Sequence, residues 1–124
     1  MLRVRVPTFK DTKTRLGYLR TISLERTIYR AAEAGLQALQ RATPVRTGLT
    51  ASSWYYVVEP GREMYTIHWH NSMNAGDVPL VVILDVGHGT GTGGYVSGLH
   101  FIGPAVKPVF EDMRMDVEKI IHGR

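Results

Sequence analysis

His68-Trp69-His70 is the stretch of this chain that comes nearest to a chemical device. On a β-strand, residues two apart point to the same side, so both imidazoles could share one metal ion. His88 or His100 could add a third ligand. No carboxylate stands at a familiar ligand spacing, and Thr66 continues the row as a plain polar side chain. The expectation is a polar strand face without a metal, with His68, His70 and His88 the residues to test for one.

Two further stretches deserve the same question. Gly87-His88-Gly89-Thr90-Gly91-Thr92-Gly93-Gly94 is rich enough in glycine for its backbone N–H groups to cradle a phosphate. A phosphate loop of the nucleotide-binding kind would continue with Lys and then Ser or Thr. Here Tyr95-Val96 follows, and the flanking pattern leads to a strand rather than a helix. Its composition reads as a long mobile loop. Asp85 stands just before it, but a triad or a carboxylate pair needs a positioned nucleophile or a second acid. Ser52, Ser53, Ser72 and Ser97 lack the setting of a nucleophile elbow. No catalytic residue and no cofactor is expected, and the chain reads as something other than an enzyme.

Charge offers a different kind of site. The net charge is +4, and residues 1–20 hold Arg3, Arg5, Lys10, Lys13, Arg15 and Arg20 against Asp11, a balance of +5 that leaves the remainder at −1. Such a basic segment suits nucleic acid or an acidic partner surface. Cysteine is absent, so disulfides and thiolate metal sites are excluded. No apolar run approaches the roughly 20 residues that span a bilayer, and the start of the chain lacks the apolar stretch of a signal peptide. A protein made and used inside a cell, without a membrane partner, is the expectation.

The elements that would carry these residues follow from periodicity. Leu2, Val4 and Val6 alternate with Arg3 and Arg5, which suits a short edge strand ended by Pro7. Residues 1–20 as a whole read as a basic extended arm, with a single α+β domain over 21–124. Leu24, Ile28, Ala31, Ala32, Leu36 and Leu39 recur at spacings of three and four and predict a helix over 22–42, capped by Thr21 or Ser23 and ended by Pro44. Gly35 on its apolar face would permit close approach to a strand. Trp54–Glu59 and Met64–His70 predict an antiparallel hairpin with Tyr65, Ile67 and Trp69 on the buried side. Leu80–Leu84 reads as a strand covered on both sides, Leu99–Ile102 as a short strand, and Gly103-Pro104 as the opening of a last helix in which Pro108 still lies in the first turn. The fold class is α+β: a long N-terminal helix, a mainly antiparallel sheet of three to four strands, and a C-terminal helix on the same sheet face.

The order of three short motifs resembles a known family. Pro44-Val45-Arg46-Thr47-Gly48-Leu49-Thr50-Ala51-Ser52-Ser53 is followed by Asp85-Val86-Gly87-His88-Gly89-Thr90 and then by Phe101-Ile102-Gly103-Pro104-Ala105 before a terminal helix. This is similar to the small neck or tail-completion proteins of long-tailed phages, typified by gene product ten of lambda-like phages. The likeness runs over roughly residues 22–121. Leu49 follows Gly48 directly, where the family often has one residue more, and extra residues stand between Gly87 and Thr90.

The resemblance implies Pro44, Thr47, Gly48, Leu49, Ser53, Asp85, Gly89, Thr90, Phe101, Pro104 and Ala105 as structural motif positions. It also implies a virion protein, assembled in the host cytoplasm, that forms a ring of about six or twelve copies at the neck. Its partners would be copies of itself, head-closure or connector proteins, and a tail terminator or tail tube, with DNA passing through the lumen. Arg3, Arg5, Lys10, Arg15, Gly87, His88, Gly91, Gly93 and Tyr95 are the expected contacts between subunits. The alternatives are a small histidine-dependent metal enzyme, or a nucleic-acid-binding domain that uses the basic arm.

Overall fold

The computed structural model describes residues 2–7, 15–44, 48–61, 64–89 and 91–122. The chain runs β1 (Leu2–Pro7), α1 (Arg15–Ala42), α2 (Leu49–Ser52), β2 (Trp54–Pro60), β3 (Met64–Asn71), β4 (Asn74–Ala75), β5 (Val78–Pro79), α3 (Leu80–Val86), β6 (Gly87–Gly89), β7 (Tyr95–Ser97) and α4 (Ile102–His122). Lys10, Thr47 and Thr90 lie outside the described residues, as do the side chains of Arg15 and His88.

The three-stranded sheet has the order β1-β3-β2 and is antiparallel throughout. Alternation along each strand sorts its side chains. Tyr65, Ile67, Trp69 and Asn71 of β3 are buried, and register sets Val6, Val4 and Leu2 beside the first three. On the other flank, Val58, Tyr56 and Trp54 oppose Ile67, Trp69 and Asn71. This face meets α1, whose Leu24, Ile28, Ala31, Ala32 and Leu39 are buried at the spacings of one helical face. Helix α4 packs along α1 through Val106 and Met113 and reaches the same sheet face where Phe110 meets Trp69, the ring centroids 6.0 Å apart.

Trp69 fixes how closely the layers approach. Its indole Nε1 donates to the Ala32 carbonyl at 3.0 Å. A Cβ placed on Gly35 would stand 2.6 Å from Cζ2 of the same ring. The glycine weakens an exposed helix but here leaves room for the largest side chain in the core. The chain after α1 is locked in a similar way. Thr43 Oγ1 donates to the Leu39 carbonyl at 2.5 Å and accepts from Trp54 Nε1 at 2.7 Å. Gly48 then takes a left-handed φ of 76° ahead of the single turn of α2.

Several expectations are corrected. The short edge strand expected over Leu2–Val6 is present as β1, while α1 starts at Arg15 rather than residue 22, so residues 15–20 are helical instead of extended; residues 8–14 of the expected arm lie outside the described residues. Thr21 is therefore inside the helix, where its hydroxyl donates back to the Gly17 carbonyl at 2.9 Å instead of capping. Leu80–Leu84 is helical, not a strand: a short apolar run fits either period. Leu99–Ile102 is not a strand either. The Leu99 and His100 N–H groups donate to the Leu84 and Asp85 carbonyls at 2.9 and 3.0 Å. Pro108 sits in the second turn of α4, past the first-turn place expected of it. The glycine-rich stretch is partly ordered, for β6 and β7 pair as a small hairpin.

Candidate functional site

Two surfaces gather the candidate residues. The first is the hairpin β6–β7, built outward from a stitched base. Asp85 Oδ1 accepts the N–H of Ile102, the first residue of α4, at 3.0 Å. Together with the bonds from Leu99 and His100, this ties the end of α3 to the start of α4. Asp85 is thereby occupied as a structural acceptor rather than poised as an acid. Gly87, with φ of 90°, turns the chain out of α3 where a side chain would press on the Val96 carbonyl. Tyr95 closes the base from the other strand, its hydroxyl donating to the Val86 carbonyl at 2.8 Å.

Beyond this base the hairpin is apolar and open. Tyr95 is 66% exposed and Leu99 59%, with Val86 and Val96 close to half. Glycines at 91 and 93, both with left-handed φ, form the tip. Of the expected family positions, Asp85, Phe101 and Ala105 come together at this base, and the Ala105 N–H donates to the Phe101 carbonyl at 3.1 Å.

The second surface is the side of the sheet facing away from α1. Register sets Arg3 and Val57 on either side of His68, Arg5 and Glu59 on either side of Thr66, and Tyr55 beside His70. His68 and His70 stack, with centroids 5.8 Å apart and planes 7° from parallel, and Tyr55 stacks on His70 at 5.3 Å. Nε2 of His68 lies 3.1 Å from a Glu59 oxygen. Parallel stacked rings do not converge their nitrogens on one point. Among the described residues, no group of three or more His, Cys, Asp or Glu is placed to hold a metal.

No family model, curated protein or solved structure matches this chain. The reading of these surfaces therefore rests on their own chemistry. Among the described residues no helix is long and apolar enough to cross a membrane.

Two features of the sites were not read from sequence. One is the meeting of Arg3 and Arg5 with His68 and Thr66, although the Leu2-Val4-Val6 alternation already held the signal. The other is Asn71, the last residue of β3. It is buried, its amide donates to the Thr50 carbonyl at 2.7 Å, and its Oδ1 accepts the Met73 N–H at 3.0 Å. The motif's Ser53 joins this joint through its carbonyl, which accepts the Ser72 N–H at 3.2 Å.

The histidine row carries a pH dependence. Partial burial lowers the pKa of His70 from its ordinary 6.5, and His68 beside it acts in the same direction. A depressed histidine pKa means that the unfolded chain binds the proton better. The stability linked to His70 is thus present above pH 6.5 and is lost as pH falls from there through the folded-state value. Urea midpoints followed between about pH 7.5 and 5 should fall more steeply for the wild type than for His70→Asn. Equal slopes would assign the pH dependence to other groups.

Proposed function

We propose that this protein is a structural subunit of a tailed-phage neck, or of a related particle, that forms a ring joining the DNA-filled head to the tail or completing the head-facing end of the tail. The observation that carries the reading is the hairpin: a glycine-tipped arm, rigid at its base, that exposes Val86, Tyr95, Val96 and Leu99 together. Large apolar side chains grouped in this way are costly in water and mark a surface made for contact. The motif order across residues 44–53, 85–90 and 101–105 supports the same reading. In it Gly87, His88, Gly91, Gly93 and Tyr95 are assembly elements, while Asp85, Phe101 and Ala105 hold the arm's base.

The residues near the N-terminus take a different part from that of an extended arm. Arg3 and Arg5 act from a paired strand on the open sheet face.

Electron microscopy of particles from a producer strain with an early stop codon in this gene tests the assignment. Filled heads and separate tails are expected, and added purified protein should restore joined particles. Normally joined particles without the protein would overturn it.

A further inference from the structure

The open sheet face and the hairpin are chemical counterparts. The face exposes Tyr55, Val57 and Met64, each close to half accessible, beside Arg3 and Arg5. A groove of about 390 Å³ runs over Arg3, Arg5, Glu59, Met64, Thr66 and His68. Among the described residues, tyrosine, methionine and arginine with one carboxylate make the composition of a protein contact rather than of a solvated strand face. What this face lacks is an apolar insert with hydrogen-bond acceptors for two guanidinium groups.

The hairpin supplies both. Between Gly87 and Leu99 it carries neither Asp, Glu, Lys nor Arg. Tyr95 and Val96 are its apolar contribution. Around Gly91 and Gly93 the absence of side chains brings backbone carbonyls close to whatever the tip touches. Arginine N–H groups paired with such carbonyls join charge to partial negative charge without burying an opposed ion pair. Among the described residues the hairpin packs chiefly between its own strands and against α3.

We propose that the β6–β7 hairpin of one copy docks on the open face of the three-stranded sheet of the next, with Val96 against Tyr55 and Val57, and the glycine tip over Arg3 and Arg5. The donor and acceptor patches differ, so each copy gives one and takes one. Such a head-to-tail contact makes a ring when its rotation closes. The inference rests on the ring reading above and names the surface that receives the arm.

The chain has no cysteine, which makes disulfide trapping clean. Val57→Cys and Val96→Cys alter side chains that are about half exposed, and unchanged circular dichroism and urea midpoints would verify folding. Under mild oxidation the double variant should give a ladder of dimers, trimers and larger species on a non-reducing gel. Each single variant should stay monomeric, and an equal mixture of the two should stop at dimers. Arg5→Glu in the double variant should lower the ladder yield about tenfold, by setting a carboxylate against the carbonyls.

Dimers from Val57→Cys alone would mean that sheet faces meet across a two-fold axis, and would overturn the proposal. No ladder from the double variant would overturn it as well, whether or not copies still assemble. A wild-type assembly mass without cross-links removes this contact and leaves the ring. A ladder from a protein whose stop-codon strain makes joined particles keeps the contact and removes the neck assignment.

Discussion

Trp69→Ala should lower the stability of the fold by about 3–5 kcal/mol, the range for removing a large aromatic from a packed core. Total stabilities of domains this size are about 5–15 kcal/mol, so the variant should be close to unfolding at room temperature in low urea. Three contacts fail together. The indole is fully buried, it donates to the Ala32 carbonyl, and it bridges the sheet to α4 through Phe110.

Trp69→Phe keeps most of the ring and drops the donor. It should cost less, about 1–2 kcal/mol, since the carbonyl left behind still lies within a helix. Gly35→Ala approaches the same contact from the other side. Helix propensity favours alanine by about 1 kcal/mol, but its Cβ would stand 2.6 Å from Cζ2 of the indole and 2.9 Å from Nε1. The ring is held by its hydrogen bond, so the layers must part, at about 1–3 kcal/mol. Urea midpoints should therefore fall in the order Trp69→Ala below both other variants. A stabilised Gly35→Ala would mean that the helix, not the ring, sets the spacing.

The same contact explains which parts of the fold were legible in the sequence. Gly35 stands out on the apolar face of a regular helical pattern, and Trp69 on the buried side of a regular strand pattern. Each was readable because its element has one buried and one open side. Where an element lacks that contrast, the pattern fails. The first turns of α1 carry Leu19 half exposed, so no apolar face announces the helix there. The run Leu80–Leu84 fails for the opposite reason. All five residues are apolar, with Val81 buried and the others partly so, and such a run carries no contrast that tells a helix from a strand.

The candidate surfaces divide along the same line. Histidines two apart on a strand must share a side, and their stacking follows from that. That Arg3 and Arg5 join them depends on β1 pairing with β3 across some sixty residues of chain, a register that local pattern cannot supply. The hairpin was hidden by its glycines, which read as a mobile loop. Its base is held from outside the glycine run, by Asp85 and the Tyr95 hydroxyl. The physical point is that five glycines remove side-chain constraints but leave the backbone ladder available, and a closed base is enough to register β6 on β7.

Thr43→Val should cost about 1–3 kcal/mol although valine has almost the shape of threonine. Thr43 is 2% exposed, and its hydroxyl is the acceptor for Trp54 Nε1, which is itself buried. Valine would strand that indole N–H without water or a partner, and the penalty is chiefly the desolvation of the stranded donor. Thr43→Ser keeps the hydroxyl and gives up a methyl group, so a loss near 1 kcal/mol is expected. Removing the donor as well should recover part of the cost: Thr43→Val with Trp54→Phe should be less damaging than the sum of the two single changes, because no polar group is then left unpaired.

A double-mutant cycle on urea midpoints reads this coupling directly. Strict additivity would mean that the bond is replaced by another acceptor and that the joint between α1 and β2 is held by packing alone. A coupling of about 1 kcal/mol or more would identify Thr43, at the exit of the long helix, as the residue that fixes where the sheet begins. The angle at which Trp54 leads β2 away from α1 also sets where Tyr55 and Val57 present themselves on the open face. The joint therefore bears on the proposed contact between copies: Thr43→Val should shift the urea midpoint first and reduce cross-linking at Val57 only to the extent that β2 moves.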